Sequence, residues 1–291
     1  MGERTEERTG AGAAESSEAT GERTGERAGE LDDPVRGALD RIRAAEGDRF
    51  ELYGTLAPLY DFVLARRYDH DAVAAFAADR APPAVEAVAV GGCGPGRLLA
   101  RLADRYPVAV GLDASHAMLR LAAARTDAPL VAADLRSPVA ADSFDLFTLL
   151  GNTLAHVGRG SGLAATLESV HASLRPGGVF ACDFARAESL VDGHVAEDAF
   201  ESDRYRVERT VVTAREADER GWVDGRYTYA FTVLDREAGE TVRVGTAMPV
   251  RAFRPGAVLG AALEAGFAEV TLVDPPTPHE GGLVARRPAD E

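Results

Sequence analysis

The sequence predicts an α/β fold, in which a doubly wound, mostly parallel sheet of seven strands carries an antiparallel β-rich insertion. From residue 85 onward, short apolar runs alternate with helical stretches, a pattern typical of a parallel sheet covered by helices on both faces. After residue 191 the pattern changes to longer segments in which polar and apolar residues alternate, which indicates antiparallel strands. A helix and two further strands then complete the seven-stranded sheet.

The individual elements follow from these patterns. An Asp-Asp-Pro start at residues 32–34 and an apolar stretch at 52–64 predict two helices ahead of the sheet. The parallel strands are predicted at residues 85–90, 108–112, 130–133, 146–150 and 179–183, with helices that begin near Arg97, Ser115 and Leu163. The antiparallel strands are predicted at residues 205–213, 222–234 and 241–250. The last helix is predicted at 258–265, and the last two strands at 269–273 and 282–285.

These elements divide the chain into four parts. Residues 1–30 contain almost no aliphatic residues and many charges, which predicts a disordered acidic tail. Residues 31–82 are expected to form helices that cover a site on the sheet. Residues 83–190 and 251–291 form the α/β domain, and residues 191–250 form the β-rich insertion over the substrate site.

The charge of the chain excludes some classes of function. All 32 basic residues are arginine, and 47 acidic residues give a net charge of −15. Because binding to a phosphate backbone needs clustered cations, we expect no nucleic-acid partner. No apolar run reaches the roughly 18 residues of a membrane span, and no secretory signal is present, so we expect a cytoplasmic protein without a membrane partner. The acidic, lysine-free composition also resembles that of proteins from extreme halophiles.

Cysteine and histidine are sparse. Two cysteines and six scattered histidines predict neither a disulfide framework nor a metal site. The sequence carries no signal for an oligomeric state.

A glycine-rich turn follows the first predicted strand. Gly92, Gly94 and Gly96 form a G-x-G-x-G pattern immediately before a helix. Glycines let the backbone approach a ligand, and the free N–H groups of the helix N-terminus can face it. The dinucleotide pattern G-x-G-x-x-G would need a further glycine at position 97, where Arg97 stands. A nicotinamide-dependent oxidoreductase is therefore disfavoured, but it is kept as an alternative.

Acidic residues follow the next two strands. Asp113 ends the second strand, where a carboxylate can accept hydrogen bonds from both ribose hydroxyls of a nucleoside. Asp134 follows the third strand and is expected at the same edge of the sheet. Either residue alone could be a cap or a turn former. The glycine turn and two acids in this order predict a nucleoside-binding site.

This order of features resembles that of class I S-adenosylmethionine-dependent methyltransferases, over about residues 53–284. The resemblance implies a Rossmann-like methyltransferase fold and S-adenosyl-L-methionine as cofactor. It implies that the three glycines of the turn hold the methionyl portion, Asp113 the ribose and Asp134 the adenine amine. Further cofactor contacts are implied for Tyr53, Ala114, Met118, Leu135 and Leu150.

The segment at residues 149–157 is similar to the corresponding part of glycine/sarcosine N-methyltransferases and aminosugar N,N-dimethyltransferases. Those enzymes carry a β-rich cover late in the chain and a tyrosine-containing N-terminal helix over the cofactor, which Tyr53 and Tyr60 resemble. The resemblance implies methyl transfer to a small molecule at an amine nitrogen. As catalytic residues, His156 could accept a proton from the acceptor and Asn152 could orient it. Equally, His156 could cap a turn and Asn152 could stabilise the loop.

One position departs from the family pattern. The family usually has Asp or Glu two residues before the first glycine of the turn, and Val90 stands there. A non-catalytic protein that binds S-adenosylmethionine is therefore a second alternative. We expect the acceptor to lie between residues 151–157 and the β-rich insertion.

Overall fold

The computed structural model describes residues 32–45, 50–157, 161–277 and 280–290. The acidic tail predicted at residues 1–30 lies outside these described residues.

Eleven strands and seven α-helices make up the described fold. The strands are β1 (Ala87–Gly91), β2 (Val108–Asp113), β3 (Leu130–Ala132), β4 (Phe144–Leu149), β5 (Leu174–Ala185), β6 (Val195–Glu201), β7 (Tyr205–Asp218), β8 (Trp222–Asp235), β9 (Glu240–Phe253), β10 (Ala268–Val273) and β11 (Glu280–Arg286). The helices are α1 (Asp32–Ala44), α2 (Ala57–Arg67), α3 (His70–Ala78), α4 (Arg97–Ala103), α5 (His116–Ala123), α6 (Gly162–Ser173) and α7 (Pro255–Glu264). Short 3₁₀ segments lie at Thr153–His156 and Ala187–Ser189.

The central sheet has seven strands in the order β10-β11-β5-β4-β1-β2-β3. Every neighbouring pair is parallel except those of β11, which is antiparallel to both β5 and β10. The strand order reverses at β1, which lies between β2 and β4. At such a switch point the connections diverge and open a crevice beyond the carboxyl ends of the strands. The predicted fold class is therefore confirmed.

Both faces of this sheet are covered by apolar clusters, because alternate residues of β1 point to opposite sides. Val88 and Val90 pack in the cluster that α3 and α4 form, with Phe76 and Leu99. Ala87 and Ala89 face the other cluster, which α6 and α7 complete. The sheet is thus buried on both sides, which explains why its central strands read as continuous apolar runs.

The second sheet is antiparallel, in the order β6-β7-β8-β9. Its apolar face packs against the N-terminal helices: Leu39 and Leu59 belong to one buried cluster with Tyr205, Phe231 and Val233. The N-terminal helices and the second sheet therefore pack on each other. The division into domains at residues 82, 190 and 250 stays a prediction.

Some elements differ from the predicted ones. The helix predicted at 52–64 begins at Ala57, since residues 52–56 form turns and Pro58 lies in the first helical turn. α3 and β6 were not predicted. β6 is short and four of its seven residues are exposed, so it lacks an apolar run. β5 begins at Leu174, five residues early, because it pairs with Phe144 across a shift in register.

Candidate active site

A cavity of about 420 Å³ lies at the carboxyl ends of the central strands. Ten of the twelve predicted site residues line it: Tyr53, Gly92, Gly94, Asp113, Ala114, Met118, Asp134, Leu135, Leu150 and His156. The other two, Gly96 and Asn152, lie beside the cavity without lining it. The topology thus brings residues from five separate regions of the chain to one site.

The glycine turn adopts a left-handed backbone that favours glycine. The φ angles are +60° at Gly92, +53° at Gly94 and +80° at Gly96. A Cβ at Gly94 would meet no atom closer than 4.0 Å, whereas at Gly92 it would lie 2.5 Å from Cγ2 of Thr153. At Gly96 it would lie 2.9 Å from Cβ of Ala122. Gly92 and Gly94 therefore form a cradle at the cavity, and Gly96 allows α4 to begin close to α5.

The carboxylate of Asp113 joins the end of β2 to the glycine turn. It accepts hydrogen bonds from the backbone N–H groups of Gly94 and Ser115, both at 2.8 Å. Burial raises the pKa of Asp113, and the two backbone hydrogen bonds oppose that rise. A carboxylate can accept about four hydrogen bonds, so capacity is left for two ribose hydroxyls.

Asp134 is exposed at the rim of the cavity. The guanidinium of Arg136 donates to both of its oxygens, with Nη2 to Oδ2 at 2.5 Å and Nε to Oδ1 at 2.9 Å. These hydrogen bonds lower the pKa of Asp134 to about 2. Asp134 is therefore ionised. A ligand amine that donates a hydrogen bond to its carboxylate would do so beside the guanidinium of Arg136.

Tyr53 connects the two sides of the cavity. Its hydroxyl lies 3.0 Å from Nε2 of His156, within hydrogen-bond distance. Its carbonyl oxygen accepts a hydrogen bond from the hydroxyl of Ser115, which follows β2. The rings of Tyr60 and His156 both pack edge-on against the Tyr53 ring, with centroids 5.2 Å and 5.4 Å away.

Tyr53 and His156 are both uncharged at neutral pH. Burial raises the pKa of Tyr53 well above its ordinary value. Desolvation by the surrounding protein lowers the pKa of His156 to about 4. Part of its surface nevertheless lines the cavity. A neutral imidazole keeps one nitrogen lone pair, so His156 can act as a proton acceptor.

Asn152 stabilises the loop after β4. Its Oδ1 accepts a hydrogen bond from the backbone N–H of Ala185 at 2.9 Å, and its own backbone has φ +64°. Its backbone N–H donates to the carboxylate of Asp183 at 2.7 Å. This geometry supports the loop-stabilising alternative for Asn152; a contact with an acceptor stays a prediction.

A buried ion cluster ties α2 to the glycine turn. Asp61 is 5% exposed and accepts from Nε of Arg97 at 2.7 Å and from Nη2 of Arg125 at 2.9 Å. Arg125 also donates to the carbonyl oxygen of Pro95. This cluster was not predicted from the sequence, although the position of Arg97 directly after the glycines was a signal for it.

Other lining residues were also missed by the sequence analysis. They include Tyr68, His70, Cys93, Arg97, Thr153 and Thr277. Thr277 lies between β10 and β11, far along the chain from the motifs, and no sequence signal marks it. Burial raises the pKa of Cys93 to about 12, so its thiol stays protonated.

Val90 does not line the cavity. It is 2% exposed and packs in the apolar cluster on the α4 side of the sheet. No carboxylate therefore stands at this position to meet a ligand's amino group.

A second cavity, of about 470 Å³, lies between the 3₁₀ segment Thr153–His156 and the antiparallel sheet. His156 lines both cavities. The wall on the sheet side includes Arg226 and the buried ion pair of Asp224 with Arg251, in which Nε lies 2.7 Å from Oδ1. This cavity lies where the sequence analysis expects the acceptor.

The described ranges lack two kinds of feature. No helix there is long and apolar enough to cross a membrane. No group of three or more His, Cys, Asp or Glu side chains in those ranges could hold a metal ion.

Comparison with known proteins agrees with this geometry. Residues 88–178 match a family described as a methyltransferase domain. The chain is 28% identical, over 77% of its length and 95% of the relative, to the dTDP-3-amino-3,6-dideoxy-α-D-glucopyranose N,N-dimethyltransferase of Streptomyces fradiae.

Two solved structures are similar over most of their length. DesVI of Streptomyces venezuelae is 26% identical, with a TM-score of 0.73, over 80% of this chain and 98% of DesVI. The amino pentose methyltransferase CalS10 of Micromonospora echinaspora, bound to S-adenosylmethionine, is also 26% identical. Its TM-score is 0.69, over 84% of this chain and 99% of CalS10.

The fold and the site define a nucleoside-cofactor-binding α/β protein, because a glycine cradle and a strand-end acid meet at a switch point of the sheet. Together with the comparisons, this makes the chain a class I S-adenosylmethionine-dependent methyltransferase. The predicted enzyme class and cofactor are thus confirmed, and the oxidoreductase and non-catalytic alternatives are not supported.

The residues of the cavity fit S-adenosyl-L-methionine. The carboxylate of Asp113 has hydrogen-bonding capacity for the ribose, and the open space at Gly94 admits a ligand against the backbone. Asp134 and Leu135 would lie at the adenine end, and Tyr53 at the methionyl end.

Proposed function

We propose that this methyltransferase transfers the methyl group to the amine nitrogen of a small-molecule aminosugar. The observation that carries the proposal is the position of His156, which lines both the cavity that fits the cofactor and the second cavity and lies within hydrogen-bond distance of Tyr53. The similar enzymes from Streptomyces fradiae and Micromonospora echinaspora are described as methyltransferases of aminosugars.

When bound, S-adenosylmethionine supplies an electrophilic methyl group on a sulfonium. Transfer to the acceptor nitrogen would form a nitrogen–carbon bond as the sulfur–carbon bond breaks, and the electron pair of the broken bond would stay on sulfur. The protein's main contribution to such an in-line displacement is alignment and exclusion of water. Tyr53 and Leu150 line the cavity, and their apolar surfaces would exclude water from it.

His156 accepts the proton that the acceptor nitrogen must lose. In the tautomer with hydrogen on Nε2, His156 donates to the hydroxyl oxygen of Tyr53, and Nδ1 keeps its lone pair for that proton. Because the pKa of His156 is lowered to about 4, the imidazole is in its basic form throughout the neutral range. Tyr53 is thereby a positioning residue that fixes the orientation of the imidazole.

The second cavity holds the rest of the acceptor. It is bounded by the antiparallel sheet, and the side chains of Arg226 and Arg251 line it on that side. Arg226 and Arg251 are already paired with Glu216 and Asp224, so they form a polar wall with limited free charge.

Methyl transfer to dTDP-3-amino-3,6-dideoxy-α-D-glucopyranose, followed by mass spectrometry of the sugar nucleotide, tests the proposal. We expect addition of methyl groups at the amine and none to the matched sugar nucleotide with a hydroxyl at that carbon. Glycine and sarcosine serve as non-sugar amine acceptors. Methylation of the hydroxyl compound, or turnover with glycine but with no aminosugar, would contradict the proposal.

A further inference from the structure

Two carboxyl side chains lie together behind the wall of the cavity. Asp183, near the end of β5, is 1% exposed. Glu280, at the start of β11, pairs in register with Ala185, and its side chain hydrogen-bonds to that of Asp183. Among the described residues, Oε2 of Glu280 is buried without a hydrogen-bond partner. The methyltransferase motifs include neither residue.

Asp183 holds the start of the segment that ends at His156. Its Oδ2 accepts from the backbone N–H of Gly151 at 2.9 Å, and its Oδ1 accepts from that of Asn152 at 2.7 Å. Both donors have positive φ, +86° and +64°, so the backbone turns sharply to present two successive N–H groups to one carboxylate. The hydroxyl of Thr277, which lines the cavity, donates to Oδ2 at 3.3 Å.

A second bond fixes the same turn from the other side. The side chain of Asn152 accepts from the backbone N–H of Ala185, two residues beyond Asp183. The turn after β4 is therefore attached to the end of β5 by three hydrogen bonds. These hydrogen bonds fix the position of the turn, and so that of His156, which follows Asn152 by four residues.

The charge of the pair is set by its surroundings. The groups that interact electrostatically with Glu280 come from four regions of the fold and are Asp183, Thr277, Arg67, Tyr60, Tyr68 and Tyr227. Burial raises the pKa of Glu280, and the adjacent negative charge of Asp183 raises it further. Burial also raises the pKa of Asp183, against its hydrogen bonds. Because two adjacent buried carboxylates cannot both ionise readily, they share one proton near neutral pH.

We propose that Asp183 and Glu280 are positioning residues for methyl transfer, which together hold the turn at Gly151 and Asn152 so that His156 faces the junction of the two cavities. The proposal rests on the proposed function for the role of His156. The shared proton prevents repulsion between the carboxyl groups, so Asp183 can stay close to the two N–H groups that it binds.

Amide hydrogen exchange tests the attachment without an acceptor. We expect Asp183→Asn to speed exchange in a peptide that covers residues 150–157 by at least about tenfold, because an amide cannot accept both backbone hydrogen bonds. Exchange at residues 86–91 of β1 should change little. Unchanged exchange at 150–157 in a folded variant would overturn the proposal.

The pH dependence of unfolding tests the shared proton. A group whose folded pKa is raised stabilises the protein most below its unfolded pKa, and this contribution is lost as pH rises towards the folded value. From about pH 5 to pH 9, the free energy of unfolding of the natural chain should therefore fall relative to that of Glu280→Gln. The control Glu197→Gln, at an exposed position on β6, should follow the natural chain. Parallel curves for all three proteins would overturn the shared proton.

Kinetics separate positioning from a purely structural role. With dTDP-3-amino-3,6-dideoxy-α-D-glucopyranose as acceptor, Glu280→Ala should lower kcat about tenfold more than it changes KM. Glu280→Gln should restore most of that loss at neutral pH, since it can still hydrogen-bond to Asp183. An equal loss in both variants would contradict the proposal. If this acceptor proves inactive, the proposed function fails, whereas the exchange and unfolding measurements still decide the proposal on the pair.

Discussion

The hydroxyl of Tyr53 lies 3.0 Å from Nε2 of His156. The two residues are 103 positions apart in the chain, and their contact joins the segment before α2 to the segment after β4. Because both groups are uncharged at neutral pH, the contact is a hydrogen bond between neutral partners, and one of them, His156, lines both cavities.

His156 should be needed for turnover but not for cofactor binding. We expect His156→Ala to lower kcat roughly 100-fold, the range of a lost general base, with little change in the Kd of S-adenosylmethionine. In the natural chain, protonation of His156 should not affect kcat at neutral pH. It should lower kcat as the pH approaches about 4, where the imidazole becomes protonated. The exposed His194 gives the matched control, His194→Ala. Full activity of His156→Ala would show that solvent takes the proton.

Asp113 should be required for the cofactor. Asp113→Ala removes the ribose acceptor and two hydrogen bonds within the fold, and hydrogen bonds to a charged group contribute about 1.5–3 kcal/mol each. We expect the Kd of S-adenosylmethionine to rise roughly 10- to 100-fold in calorimetry. Asp127→Ala, at an exposed position nearby in the chain, should bind like the natural protein. Unchanged binding by Asp113→Ala would refute the ribose assignment.

Asp61 should contribute strongly to stability. Asp61→Ala leaves Arg97 and Arg125 without their shared partner in a mostly buried position, which costs about 3–5 kcal/mol in the free energy of unfolding. The control Asp71→Ala breaks the ion pair with Arg101, in which the Asp71 side chain is 85% exposed, and should cost less than about 1 kcal/mol. Denaturant unfolding of the two variants provides the comparison. Equal losses would mean that the Asp61 cluster is screened by water.

Val90→Asp, which introduces the acid that is usual in the family, should lower the stability of the protein. The new carboxyl group would enter the apolar cluster around Leu99, and we expect a loss of about 2–4 kcal/mol in stability with no gain in cofactor affinity. Val191→Asp, at a position that is 52% exposed, controls for the chemical change. Tighter cofactor binding by a fully stable Val90→Asp would show that the side chain at this position can turn towards the cavity.

The sequence was sufficient for those parts of the site that local chain geometry determines. Gly92, Gly94 and Asp113 lie within two successive strand–turn–helix units, so their spacing alone places them at one edge of a parallel sheet. The same reasoning located Asp134, but it could not show that Arg136, two residues on, binds that carboxylate.

Contacts between distant segments could not be predicted. Asp183 and Glu280 meet only because β11 runs antiparallel beside β5, and neither residue belongs to a local pattern. Asp61, Arg97 and Arg125 meet because α2 packs over the glycine turn, which depends on the cluster between the N-terminal helices and the antiparallel sheet. Such pairings depend on tertiary packing, and an alternation of apolar residues does not specify them.

The two hydrogen bonds of Tyr53 bear on which step limits the rate of turnover. Its carbonyl oxygen is bound at the β2 side and its hydroxyl at the β4 side, so this residue joins the two sides of the cavity. Release of the demethylated cofactor and binding of a new S-adenosylmethionine are expected to require the loss of one of these hydrogen bonds. We therefore expect opening of the N-terminal segment, and not the displacement at the methyl carbon, to limit the rate at which successive methyl groups are delivered.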